Sequence, residues 1–104
     1  MAVTKLDPER FAELTAAPDR TVLVKFYADW CGPCRQFAPV FEKFAADHPE
    51  VTAAEMNIEA PENLPLVTKL EVNTIPTVML FRNGELVRRT SGFLNRRDLD
   101  ALGL

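Results

Sequence analysis

The pattern of hydrophobic and polar positions divides the chain into short segments, and these predict strands and helices that follow one another alternately. The run from Thr21 to Ala28 (TVLVKFYA) is apolar at almost every position, which is typical of a strand covered on both faces. Shorter apolar runs predict further strands at Val3 to Leu6, Val51 to Ile58 and Thr77 to Phe81. Thr21 to Ala28 should therefore lie centrally in a sheet that has helices on both sides.

Local signals mark the helices between these strands. Asp7-Pro8-Glu9 predicts a helix start, because Asp7 can cap and proline fits the first turn. A second helix is predicted from Arg35 to Asp47, where Phe37, Val40, Phe41 and Phe44 recur at helical spacing. A proline-rich loop from Ala60 to Pro65 precedes a short helix at about Leu66 to Leu70. A last helix, capped by Asn95, carries Leu99 and Leu102.

The order of the predicted elements indicates an α/β fold. Asn83-Gly84 is a hairpin signal, because both turn positions favour positive φ, and Glu85 to Thr90 should return as an antiparallel strand. The order is then β-α-β-α-β-α-β-β-α. Strands that alternate with helices predict a parallel sheet, to which the hairpin adds an antiparallel edge.

Length and composition narrow the function classes. The 104 residues predict a single domain over residues 1–104, and the net charge of −3 argues against nucleic acid as the main partner. No apolar run approaches the roughly 20 residues of a membrane span. Met1 to Lys5 lacks the pattern of a signal peptide, which favours a cytoplasmic protein with no membrane partner, although a processed secreted protein would look the same.

The chemistry centres on Trp30-Cys31-Gly32-Pro33-Cys34, which contains both cysteines of the chain and lies between a predicted strand and helix. Only a thiolate attacks a disulfide, and the N–H groups at a helix N-terminus stabilise the negative charge of a thiolate. Cys31 comes first, at the exposed helix end, which favours it as the nucleophile. Cys34 lies nearly one turn further on and should be buried, so it is expected to resolve the mixed disulfide.

Other interpretations of these residues are less favoured. Two cysteines could form half of a zinc site, but four ligands are needed and His48 is the single histidine. Trp30 could be a core aromatic residue, although its place beside Cys31 at a strand end favours the rim of a site.

The motif and its surroundings resemble the thioredoxin family. Phe26 to Trp30 resembles the strand before the family's motif, Pro39 its helix-kinking proline, and Ile75-Pro76-Thr77 its cis-proline loop. Phe81 to Glu85 resembles its hairpin, and Ser91-Gly92 its glycine loop. The resemblance implies a thioredoxin fold with a central mixed sheet of about five strands, flanked on both faces by about four helices.

The resemblance also implies an activity and partners. It implies a protein disulfide reductase that acts on disulfide-containing proteins, is a monomer, and is recharged by a flavin- and NADPH-dependent thioredoxin reductase. The domain carries no glycine-rich phosphate-binding motif, so we expect no cofactor on it. Gly32-Pro33 between the cysteines is typical of reductants of this superfamily, whereas its oxidants and isomerases usually carry a histidine there.

The substrate surface is likewise implied by the resemblance. Pro76, if cis, would lie opposite the cysteines, and the Ile75 backbone would pair with an extended substrate segment. A flat apolar patch would receive that segment, formed by Trp30, Ile58, Ile75 and Gly92. Thr74 would border the groove, Gly32 would allow close backbone approach, and Pro33 would stiffen the turn.

The largest departure from the family pattern is Lys25. Thioredoxins usually carry a buried acid at this position and a lysine on the neighbouring strand, where this chain has Glu55. We expect Lys25 and Glu55 to form a partly buried ion pair below Cys34 and to take part in its proton transfer, since an unpaired buried charge is costly. The alternative is that Lys25 reaches solvent and Glu55 lies on a wet face. A smaller departure is Glu71, which stands where a left-handed helix cap favours glycine.

Two rival functions remain open at this point. The first is a binding subunit without catalysis that holds a partner on the Trp30, Ile75 and Gly92 patch. The second is an oxidant or isomerase of the same fold, which Gly32-Pro33 disfavours.

Overall fold

The computed structural model describes residues 3–104 as a five-stranded sheet with four α-helices. Met1 and Ala2, which the predicted domain includes, lie outside the described residues. No helix among residues 3–104 is both long enough and apolar enough to span a membrane. The elements are β1 Val3–Lys5, α1 Pro8–Ala16, β2 Thr21–Tyr27, α2 Gly32–Asp47, β3 Thr52–Asn57, α3 Leu64–Lys69, β4 Thr77–Arg82, β5 Glu85–Ser91 and α4 Arg96–Asp100.

The sheet has the strand order β1-β3-β2-β4-β5, with β2 at its centre as the sequence predicts. β3 runs parallel to both β1 and β2, whereas β4 is antiparallel to β2 and to β5. The predicted mixed sheet is therefore confirmed. Because β2 is the central strand, the residues that follow its C-terminal end lie midway between the two outer strands of the sheet.

The core lies in two layers, one on each face of the sheet. On one face, Phe37, Phe41 and Phe44 of α2 and Leu99 of α4 pack against Leu23. On the other face, Phe11 of α1 and Val67 of α3 pack with the even-numbered residues of β2, which are Val22, Val24 and Phe26. Burying one such large apolar side chain contributes on the order of 2 kcal/mol. Lys25 shares the alternation of Leu23 and therefore points to the α2 face.

Several turns and caps follow the predicted chemistry. The Asp7 side chain accepts a hydrogen bond from the Arg10 N–H at 2.8 Å. Asn95 and Asp98 form a capping box at the start of α4. Asn83 and Gly84 take φ values of 52° and 82° in the hairpin turn. Each of these three predictions is confirmed.

Two helices begin earlier than predicted, for the same reason. α2 begins at Gly32, with Cys31 as its N-cap, and Pro33 lies in its first turn. α3 begins at Leu64, so Pro65 belongs to the helix and not to the preceding loop, part of which (Pro61–Asn63) is a 3-10 helix. Proline lacks only an N–H that the first turn does not use, so it starts helices as readily as it ends them.

The C-terminal ends of α4 and α3 differ in how well local sequence patterns predict them. Leu102 lies beyond α4, which stops at Asp100, although its side chain still packs against the α2 layer of the core. Glu71 takes a φ of 55° after α3, as expected for a left-handed cap. Arg89 of β5 donates hydrogen bonds to the carbonyl groups of Leu70 and Glu71 at this helix end, where a cation is favoured.

Candidate active site

The candidate active site is a disulfide between Cys31 and Cys34 at the junction of β2 and α2. Cys31 is the N-cap of α2, and its Sγ accepts the backbone N–H of Cys34 at 3.2 Å. A side chain at the N-cap faces the unpaired N–H groups of the first turn and the positive end of the helix dipole. In the reduced protein the same N–H groups would therefore stabilise a thiolate on Cys31.

Both cysteines are buried in the disulfide form, with exposed fractions of 4% for Cys31 and 3% for Cys34. The prediction that Cys34 is buried is therefore confirmed, whereas the prediction that Cys31 is exposed is wrong for the disulfide form. The cause is tertiary packing, because Ile58 and Ile75 lie against the disulfide from neighbouring loops. The Sγ of Cys31 lies 3.8 Å from the carbonyl oxygen of Ile75.

The loop opposite the disulfide contains a cis peptide bond between Ile75 and Pro76. The prediction of a cis Pro76 is confirmed. The N–H of Gly92 donates to the Pro76 carbonyl at 3.1 Å, so the glycine loop after β5 lies directly beside the cis-proline loop. The structure thus brings Cys31, Ile75, Pro76 and Gly92 close together, with Cys31 and Pro76 buried and Ile75 and Gly92 half-buried.

The remaining residues of the predicted substrate surface surround this group. Trp30 is 64% exposed, so it belongs to the rim and not to the core. A Cβ placed on Gly32 or on Gly92 would meet no atom within 4 Å, which leaves both backbones open to an approaching chain. Pro33 is half-buried, and Thr74 is exposed immediately before Ile75. These positions fit a substrate surface, and their role in binding is taken up below as a proposal.

An ion pair lies beneath the disulfide, on the α2 face of the sheet. Lys25 and Glu55 are register partners on β2 and β3, and Lys25 Nζ lies 3.2 Å from Glu55 Oε1. The side chain of Lys25 is 4% exposed and that of Glu55 15%. The predicted ion pair is confirmed, and the alternative in which Lys25 reaches solvent is wrong.

Aromatic rings complete the surroundings of Lys25. Its Nζ lies 5.3 Å from the ring centroid of Tyr27 and 5.3 Å from that of Phe41. Both distances permit attraction between the ammonium group and the ring faces. Lys25 is therefore held by one carboxylate and two aromatic rings.

A cavity of about 430 Å³ connects this ion pair to the redox centre, since Lys25, Glu55, Tyr27 and Cys34 all line it. Such a cavity is large enough for water. It thus brings Cys34 and the charged side chains of Lys25 and Glu55 to the wall of one cavity.

Tyr27 is a residue of this site that the sequence analysis missed. Burial raises the pKa of its phenol, and the negative charges of Glu55 and Asp29 and a hydrogen bond with Glu55 raise it further. The available signal was its spacing of two from Lys25 on β2, which places both side chains on one face. Tyr27 is thus coupled to the ion pair and stays protonated at neutral pH.

Phe93 was missed as well. It follows Gly92 directly and is 84% exposed, which makes it the most exposed large hydrophobic residue in the described part of the chain. The signal in the sequence was a large aromatic residue directly after Gly92, in the short loop between β5 and α4.

Comparisons with known proteins agree with the geometry. The profile of the family described as Thioredoxin matches residues 2–102. Thioredoxin from Alicyclobacillus acidocaldarius is 42% identical over 84 residues, which are 80% of this chain and 78% of that protein. The structure of a mutant thioredoxin from Halobacterium salinarum superposes with a TM-score of 0.83 at 32% identity, covering 96% of this chain and 86% of that chain. A chain from a crystal structure of a ferredoxin:thioredoxin reductase and thioredoxin f2 complex superposes with a TM-score of 0.87 at 26% identity, covering 96% of this chain and 90% of that chain.

Proposed function

The chain belongs to the thioredoxin family and is a thioredoxin-type thiol-disulfide oxidoreductase, and we propose that Cys31 is its nucleophile and Cys34 its resolving residue. The observation that carries the assignment is the position of Cys31 as the N-cap of α2, with the Cys34 N–H donating to its sulfur. Cys34 has no such place, since it lies inside the first turn.

The proposed reaction takes two exchange steps. The Cys31 thiolate attacks one sulfur of a substrate disulfide, which breaks the substrate S–S bond and releases one substrate thiolate. Cys34 then loses its proton, and its thiolate attacks the Cys31 sulfur, which releases the second substrate thiolate. The substrate gains two electrons, and the enzyme ends with the Cys31–Cys34 disulfide that the structure contains.

The substrate segment is proposed to lie across the surface around Ile75 and Pro76. The Ile75 backbone is placed beside Cys31 Sγ, so an extended segment paired with it would present its sulfur to the nucleophile. Trp30 and Ile58 supply apolar contact area, Gly32 and Gly92 leave room for the chain, and Pro33 and Thr74 border it.

Lys25 and Glu55 are proposed to assist the second step. Glu55 and Asp29 both line the cavity that Cys34 also lines. Glu55, which is paired with Lys25, is the proposed acceptor of the Cys34 proton, directly or through water. Lys25 holds the Glu55 side chain in place through the 3.2 Å contact. A swap of both partners relative to the usual family pattern retains a paired charge at this depth.

A thioredoxin reductase is the proposed source of electrons, and disulfide-containing proteins the proposed substrates. The support for the first is that a structurally similar chain comes from a complex with ferredoxin:thioredoxin reductase. A cytoplasmic location is proposed because Gly32-Pro33 is typical of reductants, which act where thiols are kept reduced. A monomer of one domain over residues 1–104 would suffice, since both cysteines and their neighbours come from one chain.

Trapping the intermediate tests the roles of the two cysteines. We expect Cys34→Ser to accumulate a mixed disulfide through Cys31 when it is mixed with a protein disulfide such as insulin, because the resolving thiol is gone. Cys31→Ser is the matched control and should form no comparable adduct. Mass spectrometry of the intact complexes gives the result. Equal adducts in both variants, or none in Cys34→Ser, would overturn the assignment.

A further inference from the structure

Phe93 lies in the solvent beside the redox centre with no structural task in the described chain. It is 84% exposed, and it belongs to neither of the two main core layers. The other highly exposed aromatic residue, Trp30, is 64% exposed and adjoins Cys31. Single exposed hydrophobic residues are common on protein surfaces, but here the two most exposed aromatic residues directly adjoin Cys31 and Gly92 in the sequence.

A chain of contacts connects Phe93 to the reacting sulfur. Cys31 Sγ lies 3.8 Å from the Ile75 carbonyl, and Pro76 follows Ile75. The Pro76 carbonyl accepts the N–H of Gly92 at 3.1 Å, and Phe93 is the next residue. A substrate segment that passes along the cis-proline loop to reach Cys31 therefore also passes the loop that carries Phe93.

The surface at this point is open and uncharged. No atom lies within 4 Å of a Cβ built on Gly92, so the backbone there can be approached closely. The run Ser91 to Leu94 contains no charged residue. A phenyl ring offers dispersion and apolar contact area but no hydrogen bond, so it favours an aliphatic or aromatic side chain over a polar one.

We propose that Phe93 is a specificity-determining residue, which gives the enzyme a preference for substrate disulfides whose cysteine lies two residues from an apolar side chain in an extended segment. The inference rests on the proposed function, because the segment must reach Cys31. Side chains of an extended chain alternate between its two faces, and every second one lies about 6.6 Å further along the same face, so the side chain two residues from the reacting cysteine is the one that can cover the ring.

The test compares two peptides closed by one disulfide each, identical except for leucine or serine two residues from the cysteine. The pre-reduced protein is mixed with each peptide, and the second-order rate constant of peptide reduction is measured. We expect wild type to prefer the leucine peptide by about tenfold. Phe93→Ser should bring this ratio close to one, whereas Phe93→Leu should retain most of it. Leu86→Ser is the matched control, because Leu86 is also exposed but lies at the hairpin end of β5.

The outcomes separate this proposal from the function on which it rests. If wild type reduces neither peptide, the proposed function fails and this inference fails with it. If wild type reduces both peptides and Phe93→Ser keeps the wild-type ratio, only the role of Phe93 is overturned. A ratio that falls equally in Leu86→Ser would also overturn it, since the preference would then not depend on position.

Discussion

The two sides of the disulfide differ in charge and in exposure to solvent, and the difference is the reverse of what is usual. Beneath Cys34 lies a charged side, formed by Lys25, Glu55 and Tyr27, in which the lysine is buried almost completely. Around Cys31 lies an apolar side, formed by Trp30, Ile75, Pro76, Gly92 and Phe93, in which the two aromatic residues are largely exposed. Charge is thus inside and apolar area outside, the reverse of the usual distribution in a folded protein.

The difference indicates that the two sides carry out different steps. A buried ion pair contributes little to stability on balance, because desolvation offsets its attraction, so its retention favours a chemical role at Cys34. Exposed aromatic residues likewise contribute little to folding, so their place around Cys31 favours contact with substrate. Proton transfer would then belong to the charged side and recognition to the apolar side.

The largest expected effect comes from breaking the ion pair. Glu55→Gln leaves the Lys25 ammonium buried without its counter-charge, and we expect the free energy of unfolding to fall by about 3 kcal/mol. The double variant Lys25→Met/Glu55→Leu should recover most of this loss, since apolar residues of similar size can replace a buried pair. Urea denaturation monitored by circular dichroism measures both values.

Two control variants sharpen that result. Lys43→Met removes the pair with Asp47, in which the lysine is 72% exposed, and should cost no more than about 0.5 kcal/mol. Trp30→Ala on the apolar side should likewise change the free energy of unfolding by about 0.5 kcal/mol or less. A Glu55→Gln effect no larger than these would contradict the view that the charged side is desolvated.

The smallest expected effect concerns the single tyrosine of the chain. Because burial and the Glu55 charge raise the pKa of Tyr27, its phenolate absorbance should appear at higher pH in the folded protein than in urea. In Glu55→Gln the pKa of Tyr27 should move back toward its ordinary value, although burial, the larger cause, remains. Coincident titrations of wild type and Glu55→Gln would mean that Tyr27 and Glu55 are not coupled.

The same pKa shift has a consequence for stability. A raised pKa means that the unfolded state loses the phenol proton first, so this contribution to stability is complete below a pH of about 10. It is lost as the pH rises from about 10 through the raised pKa of the folded state. Tyr27→Phe should remove that part of the alkaline decline in the free energy of unfolding.

Much of the fold follows from local patterns in the sequence. The unbroken apolar run before Cys31 predicts the central strand, Asn83-Gly84 predicts the hairpin, and Asn95 predicts the capping box of α4. Each of these depends on neighbouring residues alone. The starts of α2 and α3 could not be predicted in the same way, because a proline marks a helix start or a loop equally well until the flanking backbone is known.

Part of the site was predictable from the sequence, but its packing was not. The pairing of Lys25 with Glu55 could be inferred because the family resemblance placed the two on neighbouring strands and an unpaired buried charge is costly. The burial of Cys31 could not, because Ile58 and Ile75, distant in sequence, cover it. The positions of Tyr27 and Phe93 relative to the cysteines likewise depend on how β3 and the cis-proline loop assemble around β2 and α2.

The most direct test of the division between proton transfer on the charged side and recognition on the apolar side is the time course of a single turnover. In that time course the mixed disulfide forms and then decays. Quenched-flow mass spectrometry would follow a peptide mixed disulfide from about pH 6 to about pH 9 in wild type and in Lys25→Met/Glu55→Leu, the variant expected to stay stable. We predict that the variant forms the intermediate at the wild-type rate but resolves it about tenfold more slowly near pH 7, because Cys34 has lost its proton acceptor. The deficit should shrink as the pH rises and hydroxide takes over that task. Superimposable decay at every pH would contradict this division and remove Lys25 and Glu55 from the mechanism.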